Sequence, residues 1–266
     1  MTSERDFPKL QNQPLTLVLA EFRFSPLSLE DDVSEGFRSA LSQHLGVEAV
    51  ARSRQDVVFD SRGIRVAMVP FLTWEARGSG HWVHLEEQRL VYATTRYPRF
   101  DGFSGECEAV LSLLADSCEI DQLARVGLRY NDCVIPAEDE NLSSYLKGEF
   151  LPSTDLCGEQ PVVSHVTETS LRTEVGHMVV RSIVGVHGRS FMPDVIQQFN
   201  LPPREDVPHD RPIAVLDFDH YWQISEGIRV DFSVDRAIET LGQLHKPARS
   251  AFWNATTDYA RQERWL

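Results

Sequence analysis

The amino-acid sequence predicts an α+β protein built on a long, curved, mostly antiparallel sheet with helices packed on one face. Three observations predict it. Two strand-like stretches, each closed by a proline, open the two halves of the chain: "PLTLVLAEFRFSPL" at 14–27 and "LARVGLRYNDCVIP" at 123–136. Each is followed by the same order of patterns, namely helix, alternating strands and helix, at a repeat length close to half of the 266 residues. The strands between the helices pair off as hairpins, and two helix-backed antiparallel sheets merge readily into one. The chain is therefore read as one continuous body, 1–266, of two pseudo-repeats, 14–120 and 121–266, with a long loop inserted at 188–210.

Each element has its own justification. After the first strand, "SLEDDVSEGFRSALSQHLG" offers Ser28 as N-cap and acids in the first turn. Val33, Phe37, Leu41 and Leu45 follow at helical spacing, with Gly46 as the stop. "VEAVARSRQDVVFD" and "GIRVAMVPFLTWEAR" read as strands joined through "SRG", and "HWVHLEE" with "RLVYATTRY" as a further hairpin. From Ser104 to Ser117 the residues Cys107, Val110, Leu111 and Leu114 share one stripe, which predicts a helix. In the second half "NLSSYLKGEF" is a short helix, and "PVVSHVTETSLRTE" pairs with "HMVVRSIVGVH" across "VG". "RPIAVLDFDHYWQI" is the last strand, followed by a helical region from Val234 to the end, where Leu244, Ala248, Phe252, Ala255 and Tyr259 form the apolar stripe and Pro247 opens the second part. The segment "GRSFMPDVIQQFNLPPREDVPHD" breaks the pattern with its prolines. It reads either as an excursion capping one sheet edge or as a lid or docking element, and "MPDVIQQF" suits a helical turn or two.

Bulk properties narrow the function. The net charge of −14 repels polyanions unless the basic residues gather on one face, so nucleic acid is disfavoured as a partner. No stretch reaches the roughly 18 apolar residues of a membrane span, and the polar start "MTSERDFPKLQNQP" lacks a signal core, so a cytoplasmic location is expected. Cys107, Cys118, Cys133 and Cys157 form no CxxC pair and are expected to be reduced thiols. A GxxxxGK[ST] loop, a GxGxxG fingerprint, a GxSxG elbow and an HExxH pair are all missing. Neither a cofactor nor a catalytic residue is therefore assigned.

One stretch invites a site. In "AVLDFDHYW" strand alternation sends Asp217, Asp219 and Tyr221 to one face and Leu216, Phe218, His220 and Trp222 to the other. His220 would point through the sheet, so an Asp/Asp/His metal site is awkward and no metal is assigned. In "GLRYND" the same rule puts Arg129 and Asn131 on one face, with Leu128, Tyr130 and Asp132 on the other. Arg129 is the expected partner of the two acids if the matching strands are neighbours. The set Arg129, Asn131, Asp217 and Asp219 is then either a structural polar network or the floor of a binding cleft. His81 and His84 fall on opposite faces, and the registers of His165, His177 and His187 are open. On the terminal helix Lys246, Arg249, Arg261 and Arg264 make a locally basic side, which is either a solvated outer face or a contact for nucleic acid or an acidic partner.

Several motifs together carry a resemblance: "VLAEFRFSP", "RYPRF", "VGLRYND", "VLDFD" and "LHKPARSAFWNATT". In this order and spacing the chain resembles a sporadically distributed family of uncharacterised bacterial and archaeal proteins of about this length. The match runs mainly through "GLRYN" and "LDFD", while "YATT" before "RYP" departs from the family's pattern. The resemblance implies carriage on mobile elements or in defence-related neighbourhoods and supplies no catalytic residues. The topology is also similar to the TATA-binding-protein fold and, more loosely, to tandem ferredoxin-like folds, which does not imply function. The leading expectation is a non-catalytic binding or regulatory protein, an accessory component that holds a protein partner or a second copy of itself. The alternatives are a nucleic-acid-binding or nuclease module, and a small-ligand or metal-dependent enzyme at the Asp217 and Asp219 face.

Overall fold

A computed structural model describes residues 7–27, 31–46, 48–60, 63–76, 80–153, 155, 158, 160, 162–186, 188–202 and 204–266, with the backbone alone for 31–34 and 48–76. The first half runs β1 (Leu15–Phe24), α1 (Asp31–Leu45), β2 (Glu48–Asp60), β3 (Gly63–Ala76), β4 (His81–Glu86), β5 (Arg89–Thr94) and α2 (Phe100–Ser117). The second runs β6 (Leu123–Val134), β7 (Ser164–Arg172), β8 (His177–Gly185), α3 (Pro193–Phe199), β9 (Ile213–Gln223) and α4 (Val234–Ala255). Ser28, His187 and Cys157, which the sequence reading used, lie outside the described residues.

Among the described residues nine strands form one sheet in the order β2-β3-β4-β5-β1-β6-β9-β8-β7, and every neighbouring pair is antiparallel. The two proline-closed strands meet at its middle, where β1 pairs with β6. Each half fans outward from that seam, and β2 and β7 are the outer strands. Gly46 ends α1 with φ 62, the left-handed conformation that glycine adopts without steric cost.

One face of the sheet carries the main core. Val18, Ala20 and Phe22 of β1, Val126 and Leu128 of β6, and Leu216 and Phe218 of β9 pack against α1, α2 and α4 through Phe37, Leu41, Phe103, Leu114, Leu241 and Leu244. Full burial of each such side chain contributes about 1.5–3 kcal/mol. The sequence reading placed all helices on this face, and α3 departs from it. α3 and the residues before it lie across the opposite face, where Phe191, Met192, Val195 and Phe199 bury Leu17, Leu19, Ala93 and Val215 in a second core. The physical reason is composition: Leu17 and Leu19 alternate outward from the main core and need their own apolar cover. The 188–210 segment therefore covers a sheet face and does not cap a sheet edge.

Three further expectations need correction. "NLSSYLKGEF" forms two separate 3-10 turns, Leu142–Ser144 and Gly148–Phe150, because one turn ends at Tyr145 before the next begins at the glycine. α4 runs unbroken through Pro247 from its Ser233 N-cap, whose side chain accepts from the Arg236 amide. It ends at Ala255, since Thr256 turns to extended geometry, and residues Ala260–Arg264 form a separate π turn. α2 begins at Phe100, four residues ahead of Ser104, directly after Arg99 with φ 78 and ψ 168.

Candidate functional site

β6 and β9 are in register so that Arg129 lies opposite Asp219, and Asn131 opposite Asp217. Arg129 reaches along the diagonal to Asp217, with Nε donating to Oδ1 at 2.6 Å. Its two terminal nitrogens donate to Asp194 at the start of α3, at 2.6 and 3.1 Å. Asp217 also accepts from Arg181 of β8 at 3.1 Å, and Arg181 in turn donates to Glu168 of β7 at 2.7 Å. A single ladder of charge thus ties five elements together, β6, β9, α3, β8 and β7. Asp217 is fully buried, while the side chain of Arg129 keeps 11% of its surface and that of Arg181 30%. Burial pushes the Asp217 carboxyl above its ordinary range, and the guanidiniums of Arg129 and Arg181 pull against that shift. Asp219 has no hydrogen-bond partner of its own among the described residues, and burial raises it as well, with Arg129 opposing.

Asn131 is a clamp for the loop. Its Nδ2 donates to Thr16 Oγ1 at 2.9 Å and to the Ser190 carbonyl at 3.1 Å, and its Oδ1 accepts from the Met192 amide at 2.9 Å. Thr16 completes the ring by donating to the Asn131 carbonyl at 2.8 Å. Both Nδ2 hydrogens of the buried amide are used for structure, which leaves no free donor to a ligand. Among the described residues no group of three His, Cys, Asp or Glu is placed to hold a metal ion.

The basic side foreseen on the terminal helix does not form. Arg261 is buried and donates to the Trp253 and Thr256 carbonyls at 2.7 and 2.5 Å, stacked over the Trp253 ring. Arg264 pairs with Glu140, and Arg249 donates to the Phe7 carbonyl at 2.5 Å. The four residues fall on two different elements because the helix stops at Ala255, so Lys246 and Arg249 are separated from Arg261 and Arg264. On the sheet, Arg23, Arg89 and Arg125 all surround Glu21 at 2.9, 3.3 and 3.2 Å. Cys107 and Cys133 are buried free thiols, raised by desolvation and inert on that account. His81 bonds the Tyr92 hydroxyl while His84 sits beside Glu86, on opposite faces of β4 as alternation requires.

The structure also holds a site that the sequence did not disclose. Between the main-core face, the middle of α4 and the segment 8–15 lies a cavity of about 1480 Å³. Tyr130, Asp132 and Phe218 line it from the sheet, His245 and Phe252 from α4, and Tyr97 from the turn before α2. Tyr130 Oη bonds His245 Nδ1 at 2.8 Å and lies 3.4 Å from Tyr97 Oη, and the His245 ring stacks on Phe100 at 4.0 Å. Burial, assisted by Arg249, lowers the His245 pKa to about 4 and keeps the ring neutral. Asp132 is only 3% exposed, and its carboxylate makes neither a hydrogen bond nor an ion pair to any described residue. Burial, with Asp217 behind it, pushes its carboxyl up to about 8. The available signal was an acid at a position where Leu128, Tyr130 and Val134 mark the buried face of β6.

The fold and these two regions define an α+β protein with one continuous antiparallel sheet, a structural charge ladder on one face and a polar-floored cavity on the other. Comparison with known protein families finds no match, and comparison with curated proteins finds none. Among the described residues no helix is long and apolar enough to cross a membrane.

Proposed function

We propose that this chain is a non-catalytic binding protein that receives an extended segment of a protein partner along β7, as an accessory component of a mobile-element or defence system. One observation carries the reading. Seven large apolar side chains are exposed among the described residues, and four of them, Val163, Val166, Leu171 and Val186, lie in or beside the β7–β8 hairpin. Among the described residues β7 pairs with β8 alone, so its outer edge offers a row of backbone donors and acceptors to a further strand. Alternation along β7 sends Val166 and Leu171 to opposite faces, which suits a partner strand that brings its own side chains to both.

Three features support a binding role over catalysis or nucleic-acid recognition. The polar network of Arg129, Asn131, Asp217 and Asp194 is consumed in holding α3 to the sheet. The arginines near Glu21 and on the terminal segment are engaged by carboxylates or carbonyls, so these described residues do not offset the net charge of −14. The family resemblance through "GLRYN" and "LDFD" supports the accessory context. The strand orders β1-β5-β4-β3-β2 and β6-β9-β8-β7, both leading outward from the seam, support two pseudo-repeats of a TATA-binding-protein-like scaffold.

The test pairs the wild-type chain with Val166→Lys/Leu171→Lys in affinity capture from native host extract, with light scattering on both. A partner retained by wild type and lost by the variant, with melting unchanged, is the expected result. Equal capture by both, or no capture with a monomeric wild type, refutes the reading. Self-association that the variant abolishes would assign the edge to a second copy of the chain.

A further inference from the structure

We propose that the cavity on the helix-covered face binds a small organic cation, an amine or guanidinium carried on an apolar or aromatic body, with the Asp132 carboxylate as its counter-ion. This goes beyond the partner reading and concerns the opposite region of the molecule, so either can fail alone.

Among the described residues the cavity floor leaves one polar group unpaired. Tyr130, Tyr97 and His245 satisfy one another in a hydrogen-bonded chain. Asp132 is the floor group that remains without a partner, although it is 97% withdrawn from solvent and lines the space. An isolated carboxylate in such a place costs several kcal/mol to ionise, and proteins ordinarily pair it or remove it. A cationic ligand supplies the missing partner, and the gain on binding includes the relief of that desolvation. The upward shift of Asp132 agrees with this: without a cation its proton is retained near neutrality.

The remaining walls suit the body of such a ligand. Phe218, Phe252, Phe100 and Trp253 line the cavity and present aromatic surface that attracts both apolar groups and cations. Pro247, also in the wall, has no amide hydrogen, so the Gln243 carbonyl one turn earlier lacks its usual helical donor. The net charge of −14 draws cations toward the molecule as a whole. A metal ion is the weaker occupant, because Asp132 belongs to no group of three or more His, Cys, Asp or Glu residues placed to hold one among the described residues. Lys9, Arg99, Lys246 and Arg249 also line the space, and Arg249 is engaged by the Phe7 carbonyl, but at the floor an anion would meet the buried acid directly.

Calorimetric titration of the full chain with benzylamine, and separately with benzyl alcohol of nearly the same shape, tests the assignment. The amine is expected to bind at least about tenfold more tightly than the alcohol, and Asp132→Asn to erase that preference. Gly242→Leu supplies a second variant. A Cβ at Gly242 would meet only Phe100, at 4.0 Å, so the larger side chain enters the cavity without disturbing the backbone. It is expected to weaken the binding of both probes about tenfold while the near-ultraviolet circular dichroism stays native. Equal affinity for amine and alcohol, an amine preference that survives Asp132→Asn, binding unchanged in Gly242→Leu, or no binding of either probe would each overturn the proposal.

Discussion

Asp217 and Asp132 are two buried carboxylates, one on each face of the same sheet, and their surroundings pair the first and leave the second without a partner among the described residues. Asp217 holds Arg129 and Arg181 and has no exposed side-chain surface. Replacing it by Asn leaves a largely buried guanidinium short of its partner, so Asp217→Asn is expected to lower unfolding free energy by about 3–5 kcal/mol in denaturant titration. Added Mg²⁺ or Mn²⁺ should not change that loss, and stoichiometric metal binding abolished by the substitution would reverse the structural reading. Asp231, exposed beside Arg229, provides the contrast, and Asp231→Asn should cost less than about 1 kcal/mol. Asp132 has a folded value of about 8 against 3.8 when free. The folded state therefore binds the extra proton, and the associated stability is complete below about pH 4 and lost as pH rises towards about 8. Asn does not titrate, so the melting temperature of Asp132→Asn should gain on wild type between pH 5 and pH 8. A difference that stays flat over that window would show that the carboxyl is ionised throughout.

At the scale of elements, the cover over the second core depends on one amide. Asn131 bonds Ser190 and Met192, immediately ahead of α3, and Thr16 on the neighbouring strand. Asn131→Ala leaves these buried groups unsatisfied at a cost of about 1–3 kcal/mol. Its effect should be local: hydrogen exchange is expected to accelerate across 188–199 while β6 and β9 keep their protection. Uniform acceleration throughout the sheet would instead mean that the loop and the sheet open as one unit. α4 offers a second case, since Pro247 sits inside it and lines the cavity. A proline costs an internal helix position up to about 3 kcal/mol, so Pro247→Ala is expected to raise the melting temperature. A lower melting temperature would show that the ring is needed for packing against the sheet.

For the molecule as a whole, the seam between β1 and β6 decides how it unfolds. Residues of both halves share one core, from Phe22, Phe37 and Phe103 to Phe218, Leu244 and Trp265. Tryptophan fluorescence and far-ultraviolet circular dichroism should therefore report one coincident transition in denaturant. Two separated transitions would show that the halves at 14–120 and 121–266 fold independently. The strand at each end of the sheet belongs to a different half, so a partner bound at β7 is expected to protect β8 and β9 from exchange before it protects β4.

The sequence by itself determined the strands and their faces, and it named Arg129 as partner of the two acids on the condition that their strands are neighbours. Alternation along an extended chain is a local property, and a period of two sorts Asp217 from Phe218 whatever the rest of the molecule does. The condition is met because β6 and β9 are neighbours in the sheet, which sets Arg129 diagonal to Asp217. Only the tertiary structure decided that α3 lies across the opposite face, that α4 stops at Ala255, and that Asp132 faces a cavity. Those outcomes depend on contacts such as Asn131 with Thr16 and Asp194 with Arg129, separated by 115 and 65 residues, and on which surfaces remain uncovered once the strands have paired. A buried acid on an apolar face looks the same in the sequence whether a basic side chain, a turn or open space awaits it, because burial and partners belong to the assembled sheet.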